Sequence, residues 1–195
     1  MAFSLADDLT PCLFYSLSCL KKEGLKLKKE QVEAISLVSS GKDVFLWLPT
    51  GFGKSICYQS LPFVFDHKLG KTSAPPDQRS IVLVVSPLVS LMVDQVTYLQ
   101  SAGVGAAILS GNKGVDKSLL ATEGDVIAGK FCLLISAPEA VVSSDGWREL
   151  LLQEPLSRQI VAVTVHEAHC VYKWYIWRTL IQKVITLIKV SEGVN

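Results

Sequence analysis

The sequence predicts an α/β domain in which a parallel sheet carries helices on both faces. Three observations carry that prediction. Short runs rich in β-branched residues, such as Ile81 to Val85 and Ile160 to Val165, recur between segments of helical period. These runs are apolar at almost every position, the mark of strands covered on both sides. No internal repeat or low-complexity tract breaks the alternation of strand and helix.

At 195 residues and 49% hydrophobic content, the chain can bury a core and most simply forms one domain. A formal net charge of +1 gives no global basic field, so any nucleic-acid contact must rest on a local patch or on backbone amides. Cys12, Cys19, Cys57, Cys132 and Cys170 are odd in number and show no C-x-x-C spacing, which argues for reduced thiols in an intracellular compartment. The start, MAFSLADDLTPC, lacks a basic segment followed by an apolar core, and no apolar run reaches the roughly 18 residues of a membrane span.

Taken in order, Leu5 to Leu20 reads as a helix closed by Lys21, Lys22 and Gly24. Lys28 to Ser39 reads as a second, with Val32, Ile35 and Val38 at helical spacing. Asp43 to Leu48 is expected to be a buried parallel strand that delivers a tight turn to the sheet's carboxyl edge, where such sheets bind ligands. A helix follows from Ser55 to about Phe65, bent or shortened by Pro62. Gly70 to Ser80, with two prolines and no periodicity, reads as a flexible surface insertion.

Ile81 to Val85 is the next strand, followed by a helix that Gly103 terminates. Val104 to Leu109 is a third strand and Phe131 to Ser136 a fourth, joined by a helix from about Val115 to Ile127. A short helix from about Trp147 to Gln153 leads to a fifth strand, Ile160 to Val165.

The chemistry concentrates in DVFLWLPTGFGKSICYQ, Asp43 to Gln59. Gly51 and Gly53 carry no Cβ, so the turn after Pro49-Thr50 can adopt positive φ and point its N–H groups inward around an anion. Lys54 supplies a point charge for β- and γ-phosphates, the Ser55 hydroxyl a ligand for Mg²⁺, and the helix from Ser55 its positive end. The strict motif G-x-x-x-x-G-K-[ST] wants glycine where this chain has Leu48, leaving the shorter form T-G-x-G-K-S. A structural turn is the plain alternative, and Lys followed by Ser at the helix start favours phosphate.

The fifth strand runs into VTVHEAHC, Val163 to Cys170. In a phosphate-loop fold this strand end offers one carboxylate to Mg²⁺ and a second to the attacking water. Glu167 fills the second place, but His166 stands in the first, and hard cations prefer oxygen to imidazole. A zinc protease motif needs histidines four apart on a helix, whereas His166 and His169 are three apart after a strand. A soft metal on His166, His169 and Cys170, or a strand terminus without chemistry, are the other readings.

Five stretches together resemble the first RecA-like, P-loop NTPase domain of the RecQ family of DNA helicases in superfamily 2: LKKEQVEAI (27 to 35), LPTGFGKSICYQSLP (48 to 62), VVSPLVSLMVDQV (84 to 96), LLISAPEAVV (133 to 142) and VHEAHCVYKW (165 to 174). The resemblance implies a 3′-to-5′ ATP-dependent helicase that uses ATP and Mg²⁺, acts on single-stranded or forked DNA and resides in the nucleus. It implies that Gln31 reads adenine, that Thr50, Gly51, Gly53, Lys54 and Ser55 hold the nucleotide and Mg²⁺, and that Glu167 positions water. It further implies that Ser86 and Pro87 contact the DNA backbone, that His169 couples nucleotide state to DNA, and that Trp174, with Tyr172, Tyr175 and Trp177 nearby, senses the single strand by stacking.

The resemblance divides the chain into a helical segment at 1–24, the RecA-like domain at 25–178 and a divergent tail at 179–195. The chain departs from the family at His166, and also at Leu27 and Lys28, where the family has an aromatic and an arginine. The family's second RecA-like domain, with its arginine finger, has no counterpart here. The expectation is therefore a truncated helicase with impaired Mg²⁺ positioning. A non-catalytic nucleotide- or DNA-binding module is the alternative, and the lysine-dotted Ile181 to Val190 reads either as a packed helix or as an exposed apolar patch.

Overall fold

A computed structural model describes residues 6–109, 115–143 and 145–166. Two helices come first, α1 (Ala6–Cys19) and α2 (Lys29–Ser39), then α3 (Ser55–Lys68). The sheet is built from β1 (Ile81–Val85), β2 (Ala106–Leu109), β3 (Leu133–Ser136) and β4 (Ile160–Val165). Between them lie α4 (Val89–Ser101), α5 (Glu123–Ile127), α6 (Pro138–Ser143), α7 (Asp145–Leu152) and α8 (Leu156–Gln159).

All pairings are parallel, in the order β2-β3-β1-β4. Every side chain of β1 is buried, because alternate residues feed two different cores. Val82 and Val84 join a cluster with α1 to α4, through Ile35, Leu61, Val64, Val96 and Leu99. Ile81 and Leu83 face the other side, against Val126, Val141, Leu151 and Leu156 of α5 to α8. Each such aliphatic side chain contributes about 1.5–3 kcal/mol on full burial. This two-faced burial is why the runs are apolar without alternation.

The crossovers obey one hand. From β1 the chain passes over the first face through α4 to β2, and it returns over the second face through α5 to β3 and through α6 to α8 to β4. Reversing both direction and face preserves handedness, as parallel crossovers require.

Several expectations need correction. Asp43 to Leu48 is not a strand and has no ladder partner among the described residues. Val44 and Leu46 pack against the first core beside Val161 and Ala162 of β4, while Phe45 and Trp47 are 75% and 85% exposed. The segment is therefore covered on one side only, and its outward rings meet edge to face at 6.4 Å. Pro62 does not shorten α3, which continues to Lys68. Its missing N–H costs one helical hydrogen bond, offset by burial of the helix against α1, where the Ser16 hydroxyl donates to the Ser60 carbonyl at 3.2 Å.

The expected helix from Val115 to Ile127 is broken in two. Asp116 accepts from Ser118 N at the head of a 3₁₀ turn (Lys117–Leu119), and Thr122 accepts from Asp125 N at the head of α5. Two N-caps this close leave no room for one continuous helix. The tail beyond 166 lies outside the described residues.

Nor is Gly70 to Ser80 a loose insertion. Asp66, only 2% exposed, accepts from the Ser80 amide at 2.8 Å and so fixes the entry to β1. Arg79 donates to the Ala74 and Thr72 carbonyls, and Gln159 Nε2 donates to the Asp77 carbonyl at 2.7 Å. Asp66→Ala strands the buried Ser80 N–H and is expected to cost about 1–3 kcal/mol. That lowers Tm by several degrees, at about 2–4 °C per kcal/mol for a chain of this size. Asp66→Asn keeps the acceptor and is expected to stay within about 1 kcal/mol of wild type, read by thermal denaturation.

Candidate nucleotide site

The turn between Leu48 and Ser55 has the backbone that an anion cradle requires. Gly51 and Gly53 adopt φ of +81° and +88°, values that a side chain strains. Phe52 N–H donates to the Pro49 carbonyl at 3.2 Å and closes the turn. At the start of α3, Lys54 already has helical φ and ψ, and no side chain caps the helix. The positive end of the helix dipole faces the turn, while the Ile56 and Cys57 amides donate back to the Gly53 and Lys54 carbonyls at 3.3 and 3.1 Å.

Lys54 lies folded back on its own loop. Its Nζ donates to the Leu48 carbonyl at 2.9 Å and to the Pro49 carbonyl at 3.1 Å. The ammonium is held close to the anion seat by weak neutral acceptors, which a phosphate oxygen can outcompete.

Helix α2 grips the same loop. Gln31, 5% exposed, accepts from Lys28 N at 2.8 Å through Oε1 and donates through Nε2 to the Phe52 and Gly53 carbonyls, both at 3.1 Å. A Cβ on residue 53 would stand 2.9 Å from Gln31 Nε2 and would push that side chain aside, and the positive φ there favours glycine. Lys28 Nζ sits 3.7 Å from the centroid of the Phe52 ring, a cation–π contact. Beside the loop opens a cavity of about 480 Å³ lined by Gln31, Phe52, Gly53 and Ser55 on one side and by Leu91, Asp94, Gln95 and Tyr98 of α4 on the other. Lys22, Lys26 and Lys28 stand around it, Lys22 Nζ lying 5.0 Å from the Tyr98 ring centroid.

The carboxyl edge of the sheet brings His166 to this region. Its backbone N–H donates to the Val85 carbonyl at 2.8 Å, extending the β1 to β4 pairing past the strand. Its ring meets Tyr58 of α3 edge to face, with centroids 6.1 Å apart and an interplanar angle of 86°. Tyr58 donates a short hydrogen bond to Gln95, and burial pushes its phenol up to about 12. Burial also pushes the thiols of Cys57 to about 11 and Cys132 to about 12, so both behave as small packed groups.

As a Mg²⁺ site these donors are sparse. Ser55 offers one hard oxygen, and His166 offers nitrogen where a carboxylate is usual. Among the described residues, no three of His, Cys, Asp and Glu gather in a metal-ligating group. Glu167, His169, Cys170 and Trp174, with the neighbouring aromatics, lie outside the described residues. Ser86 is 3% exposed and its buried hydroxyl has no hydrogen-bond partner among the described residues, whereas Leu88 and Val89 present the outer surface of that loop. Tyr58, Phe52 and Gln95 escape a sequence reading of the site. Only Tyr58 carries a local signal, lying one helical turn beyond Ser55.

The profile of the DEAD/DEAH box helicase family matches residues 28–193. The chain is 39% identical over 166 residues to the ATP-dependent DNA helicase hus2/rqh1 of Schizosaccharomyces pombe, covering 81% of this chain and 11% of that protein. It is 35% identical over 147 residues to the ATP-dependent helicase SGS1 of Saccharomyces cerevisiae, covering 75% of this chain and 10% of the relative. The ATP-dependent DNA helicase RecQ of Haemophilus influenzae is 30% identical over 147 residues, 75% of this chain and 21% of its own length. The chain thus spans between a tenth and about a fifth of the length of these relatives. With a family profile that covers most of the sequence and relatives 30–39% identical over three quarters of it or more, the chain belongs to the DEAD/DEAH box helicases and carries their α/β, RecA-like fold.

Proposed function

We propose that this chain is the nucleotide-binding lobe of a RecQ-type ATP-dependent DNA helicase, acting 3′ to 5′ on single-stranded or forked DNA in the nucleus. The observation that carries the reading is the loop itself: two glycines at positive φ, an uncapped helix start and an ammonium group within reach. Bound triphosphate would draw Lys54 from the Leu48 and Pro49 carbonyls onto phosphate oxygens, where a charge-assisted bond is stronger. Thr50, Gly51 and Gly53 would shape the backbone around the phosphates, and the N–H groups at the start of α3 would take up the developing charge. Ser55 would hold Mg²⁺ together with those phosphates and water.

The remaining roles rest on the resemblance. Glu167 would orient the attacking water, His169 would report nucleotide state to the DNA surface, and Trp174 would stack on a base. Ser86 would act there through its backbone, since its side chain is buried, leaving Pro87 and the exposed residues after it to meet phosphate. Translocation needs a second RecA-like lobe that closes on ATP, so turnover by this lobe alone is expected to be slow.

His166 favours a second reading, a non-catalytic nucleotide- or DNA-binding module, because imidazole replaces the hard oxygen at the metal edge. Mg²⁺-dependent ATPase assays with and without single-stranded DNA separate the two. The helicase reading expects DNA to stimulate turnover, and His166→Asp to raise it by about tenfold or more at limiting Mg²⁺. No turnover in either protein, with nucleotide binding retained, would leave the binding module.

A further inference from the structure

The two edges of the sheet are finished differently. At one end of the strand order, β2 is buried at every position, and its outer side is closed by the stretch after the 3₁₀ turn, where Ile108 bridges Leu120 and its carbonyl accepts the Ala121 amide at 2.9 Å. At the other end stands β4, whose residues Ile160 to Val165 carry no charge and yet are only half-buried throughout. Among the described residues its ladder is with β1 alone. The His166 amide turns toward β1, so by the alternation of the backbone the Val163 and Val165 amides turn to the open side. Proteins blunt such an edge with charge, with proline or with a covering segment, and β4 has neither of the first two.

The chain holds a segment of matching composition. Val184 to Val190, VITLIKV, has Val, Ile or Thr at five of seven positions and a single charge, Lys189, which suits a strand that becomes the new edge. Residues 166–183 separate it from β4, more than the roughly twelve that a parallel crossover needs. The connection already made in this direction, from β3 to β4, runs over the second face. The same hand would carry residues 166–183 across Val163 and Val165, which rest half-buried on Val85. A hairpin return through residues 171–177 would be antiparallel, against a sheet that is parallel in all its pairings.

We propose that Val184 to Val190 adds to the open edge of β4 as a fifth parallel strand. The docking surface is that edge, and its occupant is the chain's own tail. Hydrogen bonds from the Val163 and Val165 amides would hold the added strand, and β4, clamped along both edges, would keep His166 in register with Val85.

NMR of the full 195-residue chain tests it. Cross-strand NOEs are expected between the amides of Val163 and Val165 and the α-protons of residues 184–190, and a mixture of labelled and unlabelled chain is expected to show that they arise within one molecule. Leu187→Pro combined with Ile188→Pro removes two successive N–H groups, one of which must face β4. That variant is expected to speed hydrogen exchange at Val163 and Val165 by about tenfold or more, while Val84 at the centre of the sheet keeps its protection. NOEs from β4 to residues 171–177, to a second molecule or to no strand at all would overturn the inference, whatever the fate of the variant. So would unchanged exchange at Val163 and Val165 in a variant that keeps Val84 protected.

Discussion

Ile81 to Val85 lie out of reach of water on both faces, and that double burial sets where everything else must go. A strand covered on two sides needs a neighbour on each edge and a helical layer above and below, which β3, β4 and the two groups of helices supply. The carboxyl end of β1 then has a fixed address, and the Val85 carbonyl uses it to hold the amide of His166. Helix α3 packs on the same core through Leu61 and Val64, so the loop at its head opens toward that edge. Helix α3, which the glycine turn precedes, and the strand end carrying His166 are brought together by packing, Tyr58 of α3 meeting the His166 ring.

How much of this can be read from residues alone depends on the range of the interaction. Strands β1 and β3 announce themselves because two-sided burial writes an apolar letter at almost every position, while β4, last in the strand order, has the same composition although all its residues are only half-buried. The glycine turn before α3 is equally legible, since positive φ at 51 and 53 restricts the residue type directly. Asp43 to Leu48 misleads for the opposite reason: its composition matches a buried strand, but Phe45 and Trp47 face outward. The region around 115 to 127 misleads because apolar spacing says nothing of the caps at Asp116 and Thr122.

Contacts between distant residues are the least legible. Gln159 reaches Asp77 across the fold, and Tyr58 reaches Gln95, with no local pattern to mark either pair. Gln31 shows the difference between recognising a residue and knowing its bonds. Its place in a glutamine-containing motif is visible in the sequence, whereas its hydrogen bonds, one from the Lys28 amide and two to the Phe52 and Gly53 carbonyls of the loop, are a product of the fold. His166 carries the converse lesson: its residue type is plain in the sequence, while its edge-to-face contact with Tyr58 is a product of the fold.

The central claim is that the loop ending in Lys54 and Ser55 seats the phosphates of a nucleotide. Isothermal titration calorimetry of the purified chain with ATP and Mg²⁺, beside the Lys54→Ala variant, measures it directly. Saturable binding that the variant weakens by about 10- to 100-fold, the worth of a hydrogen bond to a charged group, is the predicted result. Equal heats from the two proteins, or none from wild type, would contradict it.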